Sequence, residues 1–158
     1  MITAGLEQFL INLPKSEAIM GLDLGTKTIG IAVSDKQRVI ATGIKTLRRK
    51  KFEHDFLKLE NIISNRQIMG IVLGLPINMN GSEGRRCQSV RAFARNLTQR
   101  IEMPIVFWDE RLSSVEAERT LLEGNVSRKK RAEVIDFVAA SYILQGALDR
   151  MIVLKSKV

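Results

Sequence analysis

Three acidic positions stand where a folded chain has little use for an unpaired charge. Asp23 interrupts the apolar run Ala18-Ile19-Met20-Gly21-Leu22-Asp23-Leu24-Gly25. Asp109 and Glu110 close a second apolar run that starts at Pro104 and passes through Ile105, Val106, Phe107 and Trp108. Asp136 lies in a third, near the C-terminus, where the residues three, four, seven and eleven positions on are Ala139, Ala140, Ile143 and Ala147. Carboxylate oxygens are the ligands that hard cations such as Mg²⁺ prefer. Two such ions about 3.5–4 Å apart can activate a water and stabilise the leaving oxygen of a phosphodiester. The residue types therefore point to metal-dependent phosphodiester cleavage.

The elements that carry these groups follow from hydrophobic periodicity. A strand sends alternate side chains to opposite faces. Over 18–24, Met20, Leu22 and Leu24 share one face, and Ile19, Gly21, Asp23 and Gly25 the other. After a tight turn at 25–27, Ile29, Ile31 and Val33 alternate with Thr28, Gly30, Ala32 and Ser34. One face of the pair is aliphatic, and the second is nearly bare except for a carboxylate. Burying an unpaired charge is very costly, so the small neighbours are expected to leave room for a metal ion or a phosphate–metal pair at Asp23. At the second position the spacing leaves Asp109 and Glu110 equivalent. Either alone reads as an ordinary loop residue, although active residues in open α/β sheets gather at the carboxyl ends of strands. Asp136 on the inward stripe of an amphipathic helix demands a partner, which is either a metal or an arginine in a buried ion pair.

Around these positions the pattern predicts strands at about 18–24, 28–34 and 38–46, an antiparallel meander. A helix over 52–66, a strand at 68–73, an Asn- and Gly-rich loop over 77–84 and a helix over 84–101 follow. A strand over 104–108, a helix capped by Ser113 or Ser114 and ended by Gly124, and a last helix over 129–149 complete the chain. Leu6, Phe9, Leu10 and Leu13 mark a short amphipathic helix that packs on the core, in an N-terminal extension of residues 1–17. The fold class is α/β: a mixed five-stranded sheet with an antiparallel three-strand meander and flanking helices, the later strands parallel to the first because they need crossover connections. The main domain is expected over 18–150, with a C-terminal tail over 151–158.

Composition narrows the function. The 158 residues carry a formal net charge of +8 and 45% hydrophobic residues, which suits one domain with a proper core. The charge is clustered, at Arg48-Arg49-Lys50-Lys51, Arg85-Arg86 and Arg128-Lys129-Lys130-Arg131, as expected for phosphate contact with nucleic acid. Aromatic residues make up only 5%, so no platform for stacking single-stranded bases is indicated. With one cysteine, Cys87, and one histidine, His54, an internal disulfide, a zinc site and a histidine-based triad are excluded as expectations. No apolar run approaches the roughly 18 residues needed to span a bilayer, and the N-terminus lacks the charged-then-apolar order of a signal peptide. The expectation is a protein with no membrane partner.

The segment from Gly21 to Asp35, Gly-Leu-Asp-Leu-Gly-Thr-Lys-Thr-Ile-Gly-Ile-Ala-Val-Ser-Asp, resembles the opening motif of the YqgF/RuvX family. Its members are described as Holliday junction resolvases and as nucleases that mature the precursor of small-subunit ribosomal RNA. Three further blocks agree, in order. They are Gly74-Leu75-Pro76-Ile77-Asn78-Met79-Asn80-Gly81-Ser82-Glu83-Gly84, Asp109-Glu110-Arg111-Leu112-Ser113-Ser114, and Ile135-Asp136-Phe137-Val138-Ala139-Ala140-Ser141-Tyr142-Ile143-Leu144-Gln145. The resemblance covers residues 18–150 and leaves the first seventeen outside. Thr28, Arg85 and Phe137 depart from it, standing where a basic residue, a proline and a lysine are common. None of these removes a carboxylate, but the loss of two basic positions would weaken or redirect nucleic-acid contact.

The resemblance implies an RNase H-like fold and a catalytic, metal-binding triad of Asp23, Glu110 and Asp136, selecting Glu110 over Asp109. It implies a Mg²⁺ or Mn²⁺ requirement and a cytoplasmic location. Lys27 and Arg111, inside the matching blocks, join Arg85 and Arg86 as expected nucleic-acid contacts. The function it implies is endonucleolytic processing of the 5′ end of pre-16S rRNA in ribosome biogenesis. The alternatives are a Holliday junction resolvase acting on branched DNA and a non-catalytic nucleic-acid-binding module. A phosphotransferase of the actin and sugar-kinase type shares the Asp-Leu-Gly-Thr turn, but it needs two related domains and a second Asp-Gly motif. A junction resolvase needs two active sites and hence a homodimer, whereas a ribosomal-RNA nuclease can act as a monomer.

Overall fold

The structure, a computed structural model, describes residues 1–112 and 128–157. Strands β1 (Met20–Leu24), β2 (Thr28–Ser34) and β3 (Ala41–Arg48) form the antiparallel meander. Strands β4 (Ile71–Leu75) and β5 (Ile105–Asp109) run parallel to β1, giving the order β3-β2-β1-β4-β5. Helices α1 (Leu6–Ile11), α2 (Phe52–Arg66), α3 (Arg85–Thr98) and α4 (Arg128–Ser156) flank the sheet. A mixed five-stranded α/β sheet is what the periodicity predicts. The helix expected from Ser113 or Ser114 to Glu123 lies outside the described residues.

Strand alternation divides the core in two. Met20, Leu22, Leu24, Ile29, Ile31 and Val33 face α2 and α3, meeting Phe56, Leu59, Val90 and Phe93. On the opposite face Ile19, Ala32, Val72 and Val106 meet Phe9 of α1 and Ala139, Ala140, Ile143, Leu144 and Ala147 of α4. The face that reads as bare is therefore not an open cavity. The small residues there accept α4, which lies across β1 and β2. Burial at roughly 25 cal/mol per Å² of apolar surface makes two such layers the main source of stability.

Several boundaries move. β3 starts at Ala41 rather than 38, because the Asp35 carboxylate accepts the Val39 and Ile40 amides at 2.8 and 2.9 Å and Arg38 takes φ 60°. Pairing of β4 starts at Ile71 rather than 68, because Ile68 still donates to the Ile63 carbonyl and Gln67 closes α2 in the left-handed region. α4 continues to Ser156 rather than ending at 149, so residues 151–156 are helical. Ile135–Ser156, at 22 residues, is by length and composition apolar enough to cross a bilayer, against the expectation that no segment is. Its apolarity has a local cause: Ala139, Ala140, Ile143, Leu144, Ala147, Leu148 and Met151 are buried in the fold.

The leading residues are integrated with the sheet. The Thr3 amide donates to the Ile105 carbonyl and the Ile105 amide to the Met1 carbonyl, both at 2.8 Å, forming a parallel bridge on the β5 edge. Phe9 is fully buried, as expected of a helix that packs on the core. The Arg38 guanidinium donates to the carbonyls of Pro14 at 2.7 Å and Glu17 at 2.8 Å, tying the end of this segment to the β2–β3 turn.

Candidate active site

Asp23 is 3% exposed and lies on the α4 face of β1, with Gly30 directly opposite it on β2. Directly opposed residues of an antiparallel pair have Cα atoms about 4.5–5.5 Å apart. At Gly30 the α4 backbone comes down onto the sheet: a Cβ there would lie 2.0 Å from the Asp136 carbonyl oxygen. The glycine is what lets the α4 backbone at Asp136 approach the strand position opposite Asp23. The Asp136 side chain, half-buried, accepts a 2.7 Å hydrogen bond from the Thr28 hydroxyl, so the position where the resemblance expects a base holds this carboxylate instead.

The third carboxylate arrives the same way. Glu110 opens a 3-10 turn, Glu110–Leu112, just beyond β5. Its Cγ and Cδ lie 3.2 and 3.3 Å from where a Cβ on Gly74 would sit. Gly74 pairs with Trp108 across β4 and β5, and Trp108 packs in the α4-side cluster. Glu110 therefore lies on the face that carries Asp23, over the strand adjacent to β1. Asp23 and Glu110 each make polar or electrostatic contacts of their own. Asp23, Glu110 and Asp136 thus share one face near the carboxyl end of β1. Among the described residues no three acidic, His or Cys side chains stand close enough together to hold a metal as they are placed. The donor chemistry fits a hard cation, since all three groups offer carboxylate oxygens.

Alternation separates the two residues that spacing leaves equivalent. Asp109 pairs beside Leu75, one residue out of phase with Gly74 and Trp108, which turns it to the other face. There it meets Arg111 in a bidentate pair, Nη2 to Oδ2 at 2.7 Å and Nε to Oδ1 at 3.1 Å, and also accepts the Arg111 amide at 2.9 Å. Arg111, expected to contact nucleic acid, is thereby engaged internally. Its Nη1 also reaches the Asn78 and Met79 carbonyls at 3.4 and 3.5 Å, and so ties the 77–84 loop to the end of β5. That loop closes on itself, with Ser82 bonded to Asn78 and Asn80, Gly81 at φ 87°, and Met79 88% exposed.

The Arg111 hydrogen bond holds the Asp109 carboxyl below its usual range, against the opposing effect of partial burial. A carboxylate with a depressed folded pKa stabilises the fold above its unfolded pKa and loses that contribution as pH falls through the folded value. Asp109→Asn should therefore lower Tm most at neutral pH and converge with wild type below about pH 4, the ordinary carboxylate range. Melts from neutral to acid pH check this; a gap that stays constant with pH would mean the pair contributes nothing.

The remaining basic positions separate by element. Lys27 is exposed in the β1–β2 turn, and Arg85 and Arg86 are exposed in the first turn of α3. Neither Arg49 nor Thr28 carries a local signal of a site residue. Arg49 is one of four cations in the 48–51 run, and Thr28 stands out only as a departure from the motif. Arg49 donates from Nη1 to the Gly25 carbonyl at 2.7 Å, which brings it to the same turn as Lys27.

Comparison with known proteins adds three findings. A family model described as "RuvX: Holliday junction resolvase" matches residues 17–150. Proteins of Ruegeria sp. and Cereibacter sphaeroides, each named "Putative pre-16S rRNA nuclease", are 63% and 62% identical over 151 residues, covering 96% of this chain and 96% and 94% of their own. A Roseobacter denitrificans protein of the same name is 58% identical and covers 99% of this chain, so the 1–17 segment falls within that match. The fold is RNase H-like, shared with solved resolvases at low identity. Thermus thermophilus RuvC bound to a Holliday junction substrate gives a TM-score of 0.56 at 11% identity, covering 85% of this chain and 96% of its own. The yeast mitochondrial Holliday junction resolvase gives 0.54 at 11% identity, covering 96% and 86%.

Proposed function

This chain belongs to the RuvX family, described as Holliday junction resolvases, and from that premise we propose a divalent-metal-dependent endonuclease that processes the 5′ end of pre-16S rRNA in the cytoplasm. It is a nuclease, a hydrolase of phosphodiester bonds. The RNA substrate is favoured by the name carried by relatives above 60% identity across nearly their whole length. The observation that carries the catalytic reading is the pair of glycines flanking Asp23, Gly30 and Gly74, over which Asp136 and Glu110 lie. Asp23, Glu110 and Asp136 are the residues that would hold Mg²⁺ or Mn²⁺. A bound ion would polarise the phosphoryl oxygens and lower the pKa of an attacking water. The chain's own residues do the rest. α4 packs across the strand face that carries Asp23, Thr28 fixes one oxygen of Asp136, and the basic residues at the carboxyl edge hold the polyanion.

The family description favours branched DNA as a second reading, which requires two active sites and hence a homodimer. Labelled pre-16S RNA with an unprocessed 5′ end and a four-way DNA junction, each assayed with Mn²⁺ and with EDTA, separate the readings. Cleavage of the RNA alone, abolished by EDTA, supports the proposal. Cleavage of the junction alone favours the resolvase, and binding without cleavage favours the non-catalytic module.

Metal removal should also register in stability. Three carboxylates on one face repel, and a cation relieves that repulsion. Mn²⁺ should raise Tm by mass action, through a stabilisation of about 2.7 kcal/mol at one hundred times the Kd. Asp136→Asn should keep or raise the Tm in EDTA and reduce the Mn²⁺-induced rise. A large loss of stability in EDTA would identify Asp136 as a structural group rather than a ligand.

A further inference from the structure

A cavity of about 200 Å³ opens at the carboxyl end of β1, on the α3 side of the sheet, and its lining includes Gly25, Thr26, Arg49, Arg85, Arg86 and Ser89. No lining residue is acidic, and three carry guanidinium groups. They come from separate elements. Arg49 lies just past β3, and Arg85 and Arg86 open α3, while Gly25 and Thr26 supply the β1–β2 turn between them.

Two of the three cations are anchored. The Arg49 amide donates to the Lys27 carbonyl at 2.8 Å, its Nη1 to the Gly25 carbonyl at 2.7 Å, and its guanidinium lies 5.9 Å from the Phe93 ring centre. Arg86 Nη2 reaches the Leu24 carbonyl at 3.4 Å. A guanidinium has five N–H donors in a planar fork, so one anchoring bond leaves the rest for a ligand. Among the described residues no carboxylate pairs with Arg49, Arg85 or Arg86. α3 adds to the positive field. It begins after Gly84 with no side-chain cap and has no acidic residue in its first turn, so its first N–H groups are not met by an anion of its own.

We propose that this cavity binds one backbone phosphate of the substrate strand, adjacent to the scissile one, with Arg49 as its fixed wall and Arg85 and Arg86 as its rim. The volume is below the roughly 300–1,000 Å³ of pockets that enclose drug-sized molecules; it admits a phosphate and leaves sugar and base outside. Gly25, the first residue past β1, is two residues from Asp23, roughly 7 Å at a strand's rise, and Asp23 faces α4 while the cavity faces α3. A strand held at both places therefore crosses the carboxyl edge of the sheet. The proposal rests on the nuclease reading for its choice of ligand.

The test compares wild type, Arg49→Gln and Arg85→Gln with Arg95→Gln, an exposed arginine in the last turn of α3, as the equal-charge control. Two measurements are made on each: the salt dependence of binding to a single-stranded RNA oligonucleotide in EDTA, and the Tm rise given by inorganic phosphate at constant ionic strength. The expected result is a salt slope shallower by about 0.7 log units for each pocket variant, one single-strand phosphate contact. It comes with a smaller phosphate-induced Tm rise, while Arg95→Gln behaves as wild type in both. Pocket variants that match Arg95→Gln in both slope and phosphate-induced rise would overturn the proposal. Should Arg49→Gln fail to fold, Arg85→Gln carries the test, because its side chain makes no hydrogen bond among the described residues. Failure of the nuclease reading looks different: wild type cleaves nothing, yet the variants still lose phosphate and RNA binding.

Discussion

Glu110→Gln should cut cleavage by roughly 10²–10³-fold or more, the scale of losing one preorganised charge-stabilising group, while binding to the same substrate in EDTA is kept. The amide matches the carboxylate in shape but is a poor ligand for a hard cation. Asp23→Asn should behave alike, since Asp23 is the buried carboxylate of the same face. Asp109→Asn should keep cleavage and lose only the stability that the ion pair adds above the ordinary carboxylate range, because its carboxylate is turned to the other face and paired with Arg111. Single-turnover cleavage beside anisotropy binding in EDTA reads all three variants. An active Glu110→Gln beside an inactive Asp109→Asn would exchange the two roles. Loss of binding together with cleavage in Glu110→Gln would point to a folding defect and not to a missing ligand.

The distinction between Asp109 and Glu110 marks where the sequence stopped being sufficient. Alternation of apolar and small residues over 18–34 predicted the β1–β2 pair and the face on which Asp23 sits, because period two is a local property of the chain. It did not reveal what covers that face. Gly21, Gly30 and Ala32 read equally well as room for an ion or as room for a helix, and only the packing of α4 decides for the helix. Likewise the bidentate pairing of Arg111 with Asp109 is not legible from their spacing, and Thr28 reads as a missing base until Asp136 is found beside it. Helix ends were the weakest expectation. The Ala-, Ile- and Leu-rich stripe of α4 carries its apolar pattern past 149, and no glycine or proline stops it before Ser156. Pairing partners far apart in sequence, such as Thr28 with Asp136 or Arg49 with Gly25, leave no local signal at all.

Among the described glycines, Gly30→Ala is expected to be the most damaging single-methyl change. The new Cβ would meet the Asp136 carbonyl oxygen at 2.0 Å and its carbonyl carbon at 2.5 Å. Both are backbone atoms of a helix, so no side-chain rotamer can relieve the clash, and α4 must lift from β2. Overpacking costs typically 1–3 kcal/mol and occasionally more. Taking about 3 kcal/mol, Tm should fall by roughly 6–12 °C for a domain of this size. Activity should fall further than stability does. Lifting α4 carries Asp136 away from both Asp23 and the Thr28 hydroxyl, and a misplacement of about 1 Å can cost 10²-fold in rate. At a temperature where the variant is still fully folded by circular dichroism, cleavage should already be lost, and the Mn²⁺-induced rise in Tm should be reduced. Gly5→Ala, whose Cβ meets nothing within 4 Å, is the control and should stay within about 0.5 kcal/mol of wild type. A folded Gly30→Ala that cleaves at the wild-type rate would show that the contact between α4 and β2 does not set the position of the third carboxylate.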